Sequence, residues 1–199
     1  MVTLYNNMQQ IPNIKERIIL GIDPGTKVMG YGLVRELGTK TELISLGVVK
    51  MENIDDHMLK LQRIFEKTVA LIDNYKPDCL AIEAPFYGKN IQVMLKLGRA
   101  QGVAMAAALS RNIEVTEYSP RKIKQSITGN GNATKEQVAA MLQTLLSFKE
   151  IPDFLDATDG LAVAVCHSFQ KISTGKKTGS KKSYSGWDTF VKDNAKRIV

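Results

Sequence analysis

Ile18-Ile19-Leu20-Gly21-Ile22 is an unbroken apolar run of strand length, and it stops on a carboxylate, Asp23, followed by the turn pair Pro24-Gly25. A short run with no polar alternation reads as a strand covered on both faces, so it marks the middle of a sheet. Met29 to Val34 and Leu43 to Met51 read as two further strands, and the chain opens as a three-stranded meander. Leu61, Ile64, Phe65, Thr68, Leu71 and Ile72 then recur at helical spacing. That helix starts near Asp55 or Asp56 and ends before Lys76-Pro77. Asp78 to Glu83 is a fourth strand, again ending on a carboxylate, and Ile113 to Tyr118 a fifth. Three strands followed by alternating helix and strand predict an α/β domain: a five-stranded mixed sheet flanked by helices.

The segment Asn90 to Leu109 predicts a long helix that is apolar on nearly every side. Such a helix needs cover on every side, either from the core alone or from the sheet on one face and a second subunit on another. Gly98 and Gly102 would permit close approach of a partner, and a charge at Val103 or Met105 would drive such a pair of subunits apart. Ser119-Pro120 opens a short basic helix, and Thr134-Lys-Glu-Gln137 has the form of a capping box at the head of the next. A last helix runs from about Asp153 to Phe169, with Asp153 as a candidate cap. Residues 1–17 read as an N-terminal extension, 18–170 as the folded domain, and 171–199 as a basic, disordered tail rich in Gly, Ser and Lys. In that tail Trp187, Phe190 and Val191 are spaced to form one side of a short helix.

Composition excludes some classes of function. No apolar run reaches the roughly 18–20 residues of a membrane span, and the N-terminus lacks a signal-peptide pattern, which predicts a cytoplasmic protein. Cys79 and Cys166 each sit in an apolar run and read as core thiols; no paired spacing suggests zinc. The net charge of +7 hints at an anionic partner, but from Lys171 onward eight Lys or Arg face only two Asp, so most of that charge belongs to the tail.

Asp156 and Asp159 lie three apart on the last helix, with Cβ atoms about 5–6 Å apart on one face. Alone they could serve helix capping. Asp23 and Glu83, at the ends of two strands, change the reading, because neither has an obvious cationic neighbour in sequence. Four convergent carboxylates are hard, acceptor-only donors that suit Mg²⁺, with Mn²⁺ as a substitute. Two such ions about 3.5–4 Å apart clamp an in-line phosphoryl displacement.

The segments ILGIDPGTKVMGYGLV, AIEAPF, KLGRAQGV and DATDGLAVAVCH occur here in one order and spacing over residues 18–170. Together they resemble the RuvC family of Holliday-junction resolvases. The resemblance implies a ribonuclease-H-like fold and a homodimer that nicks opposing strands of a four-way DNA junction with Mg²⁺, two ions per active site. It further implies products with 5′-phosphate and 3′-hydroxyl ends and cooperation with the RuvA–RuvB branch-migration motor. It assigns the catalytic and metal-binding acids to Asp23, Glu83, Asp156 and Asp159; some members carry His in place of Asp156. Phe86 matches an aromatic residue that stacks on a base near the crossover, and Lys124 and Lys135 match lysines near the active site. The N-terminal extension departs from the usual pattern.

Other signals fail. His167 shares a helix face with Asp156 but lies eleven residues away, roughly 16 Å at 1.5 Å per residue, so it reads as a satisfied, partly buried histidine. His57 reads as lying in a polar loop. The glycines at 21, 25, 30 and 32 match no dinucleotide or P-loop pattern. Asp23-Pro-Gly-Thr26 fits the phosphate loop of actin-like ATPases and sugar kinases, but those proteins need a second such domain. A junction-binding protein without catalysis is the remaining alternative, and the acid set argues against it.

Overall fold

The computed structural model describes residues 16–85, 90–148 and 155–170. Strands β1 (Glu16–Asp23), β2 (Val28–Leu37), β3 (Lys40–Lys50), β4 (Cys79–Glu83) and β5 (Glu114–Tyr118) form one sheet in the order β3-β2-β1-β4-β5. The meander β1-β2-β3 is antiparallel, and β4 and β5 add to it in parallel, giving the mixed sheet the sequence predicts. Helices α1 (His57–Tyr75) and α2 (Ile91–Leu109) pack on one face, and α3 (Pro120–Thr128), α4 (Lys135–Leu146) and α5 (Leu155–Phe169) on the other.

β1 is central because its side chains are apolar toward both layers. Ile19 packs among residues of α3, α4 and α5, while Leu20 and Ile22 pack among those of α1 and α2, and all three are fully buried. The hairpin β2–β3 extends past the apolar stretch visible in sequence. The polar end of β2 is tied to β1, where Arg17 pairs with Glu36 at 3.0 Å and Arg35 with Glu16 at 2.9 Å. Gly38, at φ 63°, opens the two-residue turn that closes the hairpin. The same two pairs draw β1 back to Glu16, two residues earlier than expected.

Asp56, Asn90, Ser119 and Thr134 cap α1, α2, α3 and α4, each accepting a backbone N–H. The predicted capping box of Thr134 and Gln137 is present. His57 is the first residue of α1 and does not lie in a loop, since the Asp56 cap starts the helix one residue before it. The expected cap Asp153 lies outside the described residues.

α5 lies against β1 and β2 almost backbone to backbone. A Cβ on Gly21 would stand 2.3 Å from the Gly160 carbonyl oxygen, one on Gly32 2.4 Å from Leu161 Cα, and one on Gly160 2.5 Å from Tyr31 Cα. The glycine spacing that fits no nucleotide loop thus has a packing origin: it lets the helix sink onto the sheet. His167, near the other end of α5, is held by the Tyr118 hydroxyl at 2.8 Å from Nδ1 and the Cys79 thiol at 3.4 Å from Nε2. Burial lowers its pKa, keeping a neutral ring in a satisfied structural role. Both cysteines are buried free thiols.

On α2, Ala100, Ala104, Ala107 and Ala108 face the core. Val103 and Met105, the positions the sequence offered for a subunit interface, are half-buried and pack in part against that core. The uncovered stripe runs instead through Ile91, Leu95, Gly98, Gly102, Ala106 and Leu109 at helical spacing. Its Ile91, Leu95 and Leu109 are 70%, 52% and 58% exposed, and nothing lies within 4 Å of a Cβ on either glycine. Among the described residues no helix is long and apolar enough to cross a membrane.

Candidate metal centre

Asp23 closes β1, and Glu83 closes its parallel neighbour β4, where Ile22 stands opposite Ile82 in the register. The two carboxylates therefore leave adjacent strands at the same edge of the sheet, where open α/β sheets place their ligands. Asp156 and Asp159 reach this edge from the first turns of α5, delivered by the glycine-mediated contact with β1 and β2.

Carboxylate oxygens of Asp23, Asp156 and Asp159 lie within 4.8 Å of one another. Glu83 stands outside that trio but close enough for its charge to act on Asp23 and for Asp159 to act on it. Burial, then the charges of Glu83 and Asp159, push the Asp23 carboxyl well above the ordinary range. Burial and then Asp159 raise Glu83 to about 7, and burial also raises Asp159. These are the signs of like charges gathered where water solvates them poorly.

One side chain offsets them directly. Lys135, the first residue of α4, bonds Asp159 and stands 3.3 Å from Asp156 Oδ1. Burial opposes its charge, but the bond to Asp159 and the charges of both aspartates outweigh that and raise its pKa. Its side chain is half exposed, so it can withdraw to solvent. Lys124, on α3, acts through its charge alone, lowering the pKa of Glu83 and Asp159. The resemblance placed Lys124 and Lys135 near this centre, and the structure adds that Lys135 bridges the pair on α5. Phe86 lies outside the described residues.

Gln101 is a residue that sequence reasoning passed over, although it lies in the quoted run KLGRAQGV. It is buried on α2, and its Nε2 donates to Glu117 at 2.8 Å and toward the Glu83 carbonyl at 3.4 Å, tying the end of β4 to the helix behind it. A buried amide among apolar neighbours was the available signal.

The donor set fits a hard divalent cation. It offers oxygen only, and it carries more negative charge than the bound ammonium of Lys135 offsets.

Fold and centre together define a ribonuclease-H-like domain with an acidic centre at the carboxyl ends of its middle strands. A model of the crossover junction endodeoxyribonuclease RuvC family matches residues 19–167, and the chain belongs to that family. It is 60% identical over 183 residues to the crossover junction endodeoxyribonuclease RuvC of Christiangramia forsetii, covering 92% of this chain and 93% of that one. To the same enzyme of Bacteroides fragilis it is 56% identical, covering 94% and 99%. Among solved structures it is similar to T. thermophilus RuvC in complex with Holliday junction substrate, at 32% identity and a TM-score of 0.72, covering 77% of this chain and 93% of that one.

Proposed function

We propose that this protein resolves four-way DNA junctions in recombination and repair, nicking opposing strands by hydrolysis at a centre formed by Asp23, Glu83, Asp156 and Asp159. The observation that carries the reading is the aspartate trio whose oxygens meet at the end of β1, with Asp23 and Asp159 buried and Glu83 beside them, in a chain of this family. A protein that only bound DNA would gain nothing from packing negative charge where phosphate must approach.

Asp23, Asp156 and Asp159 would hold Mg²⁺, with Glu83 completing the set and Mn²⁺ as a substitute. Bound there, two such ions would supply activation of water and stabilisation of the leaving oxygen in an in-line displacement. The chain's own contribution is positional. β1 and β4 fix two acids, α5 fixes two more, and Gln101 restrains the backbone beneath Glu83. Lys135 and Lys124 supply positive charge on the α3–α4 side, suited to orienting the phosphate and offsetting charge that builds on it. Phe86, three residues beyond Glu83, would stack on an unpaired base.

The exposed stripe on α2 suits a second copy of the chain, since two glycines four apart let helices approach closely. A two-fold dimer carries two such centres, which accounts for paired incisions. We take 18–170 as the nuclease domain and the tail as a separate basic segment, in a cytoplasmic enzyme working with the RuvA–RuvB motor. The test is a synthetic four-way junction incubated with the protein and Mg²⁺. Symmetric nicks with ligatable ends are expected; binding without scission across varied sequences and metals would remove the enzymatic reading.

A further inference from the structure

A groove of about 590 Å³ ends at Asp156, one of the three clustered aspartates. Its walls come from the turn after β1 and from α1 and α2, the layer opposite the one that carries Lys124 and Lys135. Three lysines on three separate elements converge on it: Lys27 from the turn, Lys60 from α1 and Lys96 from α2. Among the described residues none of the three takes part in an ion pair. Among the described residues, Glu52 is the only carboxylate on the groove besides Asp156. Val93 and Leu97 give the groove an apolar strip between the cationic arms.

We propose that this groove seats the sugar–phosphate backbone of the strand being cut, on the side of the scissile phosphate away from Lys124 and Lys135. The inference rests on the proposed nuclease reading and extends it to a second phosphate track. Lys27 and Lys96 are exposed and Lys60 is half-buried, an arrangement that neutralises a linear polyanion. A site for one small anion would instead surround it with buried donors. The strip of Val93 and Leu97 suits the apolar edge of deoxyribose, and continuity with Asp156 means that a backbone lying in the groove leads straight to the acids. With lysines on both sides of the centre, a strand is held at two points, which fixes the scissile phosphate between them.

The experiment compares wild type, the triple variant Lys27→Gln, Lys60→Gln, Lys96→Gln, the triple Arg counterpart, and Lys40→Gln on the distant hairpin. Junction binding is measured in EDTA across a salt series, and steady-state cleavage in Mg²⁺. The Gln triple should lower the slope of log K against log salt by about 2–3, near 0.9 for each duplex phosphate that is no longer neutralised. It should raise KM about tenfold or more with kcat within twofold, while the Arg triple and Lys40→Gln behave as wild type. An unchanged slope and KM for the Gln triple overturns the proposal, as does an Arg triple as impaired as the Gln triple, which would mark a structural role. Failure of wild type to nick the junction would sink the nuclease reading instead, leaving the salt slopes to judge the groove separately.

Discussion

Gly30 stands directly across the ladder from Asp23, and a Cβ built on it would lie 1.8 Å from the carbonyl oxygen of Asp156. Strand and helix are therefore in backbone contact at the one place where the acids of both must converge. The missing side chain on Gly30 sets the distance between the end of β1 and the start of α5. The acidic centre is in this sense built by a glycine as much as by its carboxylates.

Gly30→Ala should accordingly push α5 off the sheet. Overpacking of this kind costs about 1–3 kcal/mol, and here the obstruction is main chain with no rotamer to relax. Thermal melting should show the loss, and Mg²⁺ binding by calorimetry should weaken in parallel. Wild-type Mg²⁺ affinity in a folded Gly30→Ala protein would show that the contact does not position the acids.

Asp23→Asn, Glu83→Gln, Asp156→Asn and Asp159→Asn should each abolish nicking while sparing junction binding, because each removes a donor and leaves the volume of the side chain. A gel-shift assay beside a cleavage assay separates the two effects. Retained cutting by Asp23→Asn would contradict the proposed centre.

The pH dependence of the metal-free protein follows from the same cluster. Glu83 titrates near 7 when folded against about 4.5 in the unfolded chain, and Asp23 and Asp159 are shifted upward as well. Between those values the native state holds protons that the unfolded state releases, so stability should fall as pH rises from about 4.5 through 7. Denaturant titrations in EDTA should show this decline, and Glu83→Gln should flatten it. Stability rising across that window would mean the acids are better solvated than their burial indicates.

Lys135→Ala removes the ammonium bound to Asp159 and close to Asp156. The metal-free protein should melt at a lower temperature above pH 7, where the acids are charged. Saturating Mg²⁺ should recover more of that loss than it adds to wild type. Equal Mg²⁺-induced shifts in the two proteins would show that Lys135 does not balance the cluster.

Leu95→Glu places a charge at the centre of the exposed stripe on α2 and away from the core. Sedimentation should show the mass falling from two chains to one. A mass unchanged from wild type would place any dimer contact elsewhere.

Much of this centre was legible in the sequence, for particular reasons. Asp23 and Glu83 end short apolar runs, and a strand that ends on a carboxylate announces where the acid will sit. Asp156 and Asp159 are three apart on a helix, so their common face follows from helical periodicity. Lys135 sits inside a recognisable capping box, but its reach to α5 depends on how α4 and α5 lie together. The meaning of Gly30, Gly32 and Gly160 was hidden for a similar reason, since a residue without a side chain shows its purpose only through what occupies the space. Val103 and Met105 pack partly against the core, which the sequence could not show because α2 is apolar all round and periodicity cannot say which of several apolar faces turns inward.

The sequence by itself determined the strands and helices, the sheet class and the acids at the element ends, because local hydrophobic patterning and helix capping act over a few neighbouring residues. Tertiary structure alone decided which carboxylates gather their oxygens at one point, which lysine meets them, and that Lys27, Lys60 and Lys96 line one groove. Those relations join residues far apart in the chain. They depend on the close approach of α5 to the sheet and on the packing of α1 and α2 against its other face, which no local pattern encodes.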